Sequence, residues 1–377
     1  MAAGYSGDAD RWFVGVDIGR ASIEGGIEMG PREPNVALRP VRSVQVGTHV
    51  RVKSMAEILA TLDADGRVDG LPFMPEMLAF AGRIIEVDAV THRTCDTVKT
   101  SGTSGTTRRL ERSVHLRGAR CDGSAHGGCQ ARCLLYWKLD WLEEMPNRQR
   151  HDSQPDIFPG PTVLAEATHG EGHTEQHPVY SCQATELLKA SQFVSARNAR
   201  MWWLDVRSGN ASIRTAVASL AVLMFNKWQR FSKRLPTWLR IRGGRMWPSL
   251  HPTGERRAYP ELGLQPGELV EVKSLSEIEA TLDGNGAVRG LRFSGEMIPY
   301  CGTRARVLAR VDRIIDEKTG RMLKLRDCII LEDVWCEGTF RALCRRKIYT
   351  YWREAWLRRI DSADPARYHS ASNGGSA

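Results

Sequence analysis

Two stretches of this chain are near-copies of each other, and that copying constrains the fold more than any other feature. Val52–Phe73 reads VKSMAEILATLDADGRVDGLPF and Val272–Phe293 reads VKSLSEIEATLDGNGAVRGLRF, with 14 of 22 positions identical at an offset of 220. The match continues through Glu76-Met77 against Glu296-Met297 and Gly82 against Gly302. It resumes at an offset of 215 with Cys121/Cys336, Cys129/Cys344 and Tyr136-Trp137/Tyr351-Trp352. A duplicated unit of about 95–100 residues implies one supersecondary module folded twice.

Within one unit, Thr48–Val52 alternates apolar and polar residues as a half-buried strand does. Ser54 followed by Glu57 opens a short helix over 54–62 with a capping box. Asp63-Ala64-Asp65-Gly66 and Asp283-Gly284-Asn285-Gly286 are turns, and Leu71–Met77 and Arg83–Val90 supply further strands. The aromatic run Leu134–Leu142 (LLYWKLDWL) carries helical spacing. The expected class is α+β: tandem small SH3-like or KOW-like β-barrel units, each with a Cys-bearing loop and a terminal helix, joined by a helical segment. Boundaries follow as an N-terminal extension (1–44), repeat 1 (45–145), a Pro/Gly/His-rich flexible linker (146–178), a basic helical segment (179–250), repeat 2 (251–362) and a disordered Ser/Gly/Ala tail (363–377). In the extension, VGVDIGRAS (14–22) resembles the first phosphate loop of actin-like sugar kinases. None of that fold's later motifs follows, so an ordinary strand and turn is expected there.

Chemistry concentrates in the loop of repeat 1, Arg120–Cys133, which sets Cys121, His126, Cys129 and Cys133 within 13 residues among three glycines. Thiols and an imidazole brought together by tight turns make a cage for a soft metal. If a helix begins at Cys129, Cys129 and Cys133 share one face of its first turn. Cys95, at the end of a predicted strand, completes a tetrad with Cys121, Cys129 and Cys133, and His126 can replace one thiol. In repeat 2, Ile348 stands opposite Cys133, while Cys301 stands opposite Ala81. A second site there would take Cys301, Cys336 and Cys344, with Cys328, Cys182 or solvent as fourth ligand. Three thiolates and an open position suit metal chemistry. His169, His173 and His177 are four apart, but the glycines between them favour a loop over a metal-binding helix face.

The chain has 377 residues, 53 Lys and Arg against 44 Asp and Glu, and nine cysteines. Its opening residues are polar where a secretory leader needs an apolar core, so a reducing, cytoplasmic setting is expected, where clustered cysteines bind metal more often than they pair. The longest apolar run, Ala216–Phe225, is too short to span a bilayer, and no membrane partner is expected. Arg197, Arg200, Arg214, Arg230, Lys233, Arg234, Arg240 and Arg242 interleave with Trp202, Trp203, Trp228, Trp238 and Trp247. Such a surface can grip phosphates and stack on bases, although Arg–Trp stacking also covers ordinary cores.

Three motifs together, RCDGSAHGGCQARCLLYWKLDWL (120–142), EIxATLDxxGxxxGLxFxxEM upstream and YxCQATEL (180–187), carry a family likeness over residues 45–360. The chain resembles an uncharacterised family of cysteine-rich bacterial proteins associated with small-molecule biosynthetic gene clusters. The resemblance implies shared ancestry and a place in a biosynthetic pathway. It also implies a cysteine at position 81, where this chain has Ala81. The leading expectation is a zinc-binding tandem-repeat accessory or scaffold protein working through a pathway protein partner. The alternatives are a metal- or iron–sulfur-dependent biosynthetic enzyme using Cys301, Cys336 and Cys344, and a nucleic-acid-binding protein.

Overall fold

The computed structural model describes residues 39–40, 44–98, 107–144, 162–254 and 259–360. The phosphate-loop-like run 14–22, most of the N-terminal extension, linker residues 146–161 and the tail lie outside them. The described chain is mixed α and β, and every strand ladder in it is antiparallel.

In repeat 1, β1 (His49–Val52) leads into α1 (Met55–Leu59), whose Ser54 and Glu57 form the reciprocal cap that their spacing predicts. The Asp63 carboxylate then accepts from the Asp65 and Arg67 amides, at 3.0 and 2.8 Å, closing the turn. The remaining strands are β2 (Ile84–Val90), β3 (Ser113–Arg120), β4 (Leu134–Lys138) and β5 (Leu142–Glu144). They assemble in the order β5-β1-β2-β3-β4, with Arg39–Pro40 added beside β5.

Three helices connect the repeats: α2 (Gln183–Ala190), α3 (Ala199–Arg207) and α4 (Ile213–Ser232), the last capped by Ser212. Before them Thr162–Glu166 is helical, and His169 bridges to Tyr180. Apolar residues recur at helical spacing over 182–200 and 208–235 within this segment. The first stretch is interrupted by a strand, Gln192–Val194, which pairs with Thr107–Arg109 of repeat 1.

Repeat 2 contributes β6 (Leu269–Val272), α5 (Leu275–Glu279), β7 (Arg304–Arg310), β8 (Cys328–Leu331), β9 (Trp352–Arg353) and β10 (Leu357–Arg359). Its sheet runs β10-β6-β7-β8-β9, the same order as in repeat 1. Both sheets carry a register shift at matching places, Val87/Ala89 and Val307/Ala309, where an extra residue bends and twists the strand. The cores match too. Phe73 meets the edges of Trp137 and Trp141 at 6.2 and 5.0 Å, and Phe293 meets Trp352 and Trp356 at 6.0 and 5.3 Å.

The terminal helix expected in each repeat is not there. Leu134–Leu142 is instead strand β4, one 3₁₀ turn (Leu139–Trp141) and the start of β5, and repeat 2 has the same arrangement. Every residue of β4 is buried. A strand covered on both faces loses its two-residue alternation, and its continuous apolar run can then be read as a helix. Cys129–Cys133 is irregular chain, so the two thiols do not share a helix turn.

Candidate metal centre

The loop after β3 folds back on itself. The Cys121 amide donates to the Cys133 carbonyl at 2.8 Å, and the Gly123 carbonyl accepts from the His126 and Gly128 amides at 3.2 and 3.0 Å. Gly123 sits at φ +76°, and a Cβ there would overlap the Cys129 carbonyl oxygen, so only glycine closes this knuckle. Repeat 2 ties the same knot: Cys336 to Ile348 at 2.8 Å, and Arg341 and Leu343 to the Gly338 carbonyl at 3.0 and 2.9 Å.

The first knuckle directs Cys121, His126, Cys129 and Cys133 into a cavity of about 370 Å³. Cys182, the residue that starts α2, lines the same cavity, as do Glu76, Gln183 and Tyr136. Repeat 2 closes the far wall with Ile315, Glu317, Arg346, Ile348 and Tyr351. The two sides are stitched together: the Gln130 amide donates to the Arg313 carbonyl at 3.0 Å, and the Ile315 amide donates to Cys129 Sγ at 3.4 Å.

At its centre His126 Nε2 lies 3.4 Å from Cys121 Sγ, and Nδ1 lies 3.7 Å from Glu76 Oε1. The His126 and Glu76 side chains are only 2% and 4% exposed, yet His126 Nδ1 and both Glu76 carboxylate oxygens lack any hydrogen-bond partner. Buried polar atoms left unpaired cost free energy and point to a missing ligand or ion. Glu76, Cys121 and His126 form the one group among the described residues whose potential ligand atoms all lie within 4.8 Å of one another. Burial pushes the Cys121 and Cys129 thiols up, Cys133 up to about 12 and Cys182 up to about 11, and holds His126 down at about 4. Burial likewise raises Glu76. Burial thus disfavours the charged form of each of these groups, a preference that a bound cation would reverse.

Cys95 does not join this set. It sits against the second knuckle, its amide donating to Cys344 Sγ at 3.0 Å. A hydrogen bond from the Cys344 thiol, helped by the Arg346 and Arg341 guanidinium groups, lowers Cys95 to about 6 and raises Cys344. Cys336 is close enough to feel both thiols and is raised by burial and by Glu296. The thiols thus sort as Cys121, Cys129, Cys133 and Cys182 around one cavity, with Cys95, Cys336 and Cys344 forming a second group. Each group draws one member from outside its own repeat loop. Cys301 belongs to neither: half-buried, it packs on the repeat 2 core with Glu279 as its nearest charge. Cys328 is buried among Val311, Ile330 and Tyr349. His169 and His173 stack at 3.9 Å, with His173 Nδ1 2.7 Å from the Val179 carbonyl.

Glu76, Gln183 and Arg346 escaped the sequence reading as site residues. Glu76 left a trace in the Glu76-Met77/Glu296-Met297 match and Gln183 in the YxCQATEL motif, while Arg346 left none. Of the basic residues suggested for nucleic acid, Arg197, Arg200, Arg214, Arg230, Lys233, Arg234 and Arg242 are exposed. Arg240 is half-buried and donates to the Leu235 and Lys233 carbonyls past the end of α4. No family model, curated protein or solved structure matches the chain.

Proposed function

We propose that this protein is a zinc-binding accessory protein of a biosynthetic pathway that works through a protein partner, built from two SH3-like barrel repeats that close over one thiolate–imidazole metal centre. The observation that carries this reading is the Glu76–His126–Cys121 triplet. Zinc bonded to one nitrogen and one sulfur at ordinary distances sets them about 3.5 Å apart across a tetrahedral edge. His126 Nε2 and Cys121 Sγ are 3.4 Å apart. Glu76 Oε1 lies 3.7 Å from the other ring nitrogen, from where a small shift would let the carboxylate orient a metal-bound histidine. Cys133, Cys182 and Cys129 line the same cavity and are the candidates for the remaining positions. When bound, the zinc would supply the counter-charge that these buried groups lack and tie α2 to repeat 1.

A second reading is an iron–sulfur cluster on Cys121, Cys129, Cys133 and Cys182. It is favoured by four thiols spaced around a cavity rather than touching one another. Elemental analysis and a visible spectrum on protein purified without oxygen separate the two. The zinc reading expects a colourless protein with one zinc per chain, lost in Cys121→Ser and Cys182→Ser and kept in Cys301→Ser. A brown protein with iron and labile sulfide would replace it with the cluster. Metal-free protein with an unchanged melting temperature after chelation would remove both.

A further inference from the structure

The helix α4 is amphipathic the wrong way round for a helix lying on a protein core. Its buried positions are Ala216, Ser219, Gln229 and Ser232, and its outward positions include Ile213, Val217, Leu220, Met224, Trp228 and Phe231. The inward side is held by polar bonds, Ser219 Oγ donating to the Thr339 carbonyl at 2.7 Å and Gln229 Nε2 to the Ile241 carbonyl at 2.9 Å. The six outward residues recur at steps of four, three, four, four and three, which places them in a stripe roughly 80° wide at 100° per residue. Ten of the thirteen exposed large apolar side chains among the described residues fall between Ile213 and Trp247, with Trp238 the most exposed at 81%. From Val206 to Gly254 the chain has nine Lys and Arg and no Asp or Glu.

We propose that this face is a peripheral docking surface for an anionic lipid bilayer, with α4 lying in the plane of the interface. An apolar, Trp-containing stripe flanked by cations is the composition that settles at the boundary of headgroups and acyl chains. A second copy fits badly, because pairing two α4 stripes brings the flanking Lys227 of both copies together with no carboxylate on the segment to offset it. A protein partner fits less well, since protein interfaces deplete lysine and mix both signs of charge. Nucleic acid has no use for an aliphatic ridge of Ile213, Val217, Leu220 and Met224. Among the described residues no helix is long and apolar enough to cross a membrane, and an in-plane helix has no need to. The sequence expectation was of no membrane partner, drawn from the lack of a spanning run, and an in-plane helix departs from it.

The test is sedimentation of the full-length protein with phosphatidylcholine vesicles, with and without about 30% phosphatidylglycerol. The expected result is binding to the anionic vesicles with a blue shift of tryptophan emission. That binding should weaken at least about tenfold between low and high salt. The double variant Leu220→Glu/Met224→Glu, altered only at exposed positions, should lose binding about tenfold or more while keeping its far-UV spectrum and melting temperature. Absence of binding to anionic vesicles at low salt would overturn the proposal, as would equal binding by the variant. A wild-type dimer made monomeric by the double variant would assign the face to a second copy instead. None of these readouts depends on the metal centre.

Discussion

His115 shows how a single buried side chain sets pH behaviour away from the thiols. It lies within β3, 1% exposed, with Nδ1 2.8 Å from the Leu135 carbonyl. Burial holds its pKa down at about 4. The unfolded chain takes up that proton near pH 6.5, while the folded one resists it until pH 4. Stability should therefore be full above pH 6.5 and fall through the window from 6.5 to 4, by at most about 3 kcal/mol from this residue. His115→Gln should flatten that part of the melting-temperature profile, and an unchanged slope would show that His115 does not set it. At this scale the sequence was legible where partners are local. Cys121, His126 and Cys129 share a knuckle because the glycines between them permit the left-handed turns that bring the three side chains together. Cys95 was misplaced because its neighbour Cys344 lies 249 positions away, and no local rule reports such a contact.

At the scale of elements, both knuckles carry a left-handed glycine at the matching position, Gly123 and Gly338. Gly123→Ala should open the loop, cost about 2–4 kcal/mol and abolish metal binding. Gly338→Ala should cost a similar amount without touching the first cavity directly. Urea midpoints and metal content of the two variants would check both statements. Leu71–Met77, read as one strand, is strand only over Leu71–Pro72 and becomes a 3₁₀ helix at Pro75–Phe80, whereas the helix caps, the Asp turns and the strands at His49–Val52 and Ile84–Val90 were readable from short-range patterns. The Trp-bearing segment was not: five consecutive buried residues erase the alternation that marks a strand, and only its neighbours on both faces explain it. The α4 stripe was visible as helical periodicity, which does not say which side faces inward. The structure turns the apolar side out because Ser219, Gln229 and Ser232 make the inward hydrogen bonds.

At the scale of the molecule, the two repeats are held by buried polar links as well as by the cavity. Arg93 of repeat 1 stacks on Trp202 of α3 at 4.0 Å, pairs with Asp205 at 3.2 Å and donates to the Ala342 carbonyl of the second knuckle at 3.1 Å. Both members of the pair have fully buried side chains. Asp205→Ala leaves a buried guanidinium unpaired and should cost about 3–5 kcal/mol, read as a lower urea midpoint. A neutral result would mean that Arg93 finds water or another acceptor. By itself the sequence showed two matching stretches, where their turns and caps fall, and that a glycine-rich cysteine loop follows the first. These follow from local sterics and hydrogen bonding, which are the same in both copies. Only the tertiary structure decided which thiols meet. Duplication specifies how each copy folds and is silent on how the copies face each other. That choice rests on positions where they differ, such as Cys133 against Ile348 on the cavity wall and His126 against Arg341 in the knuckles.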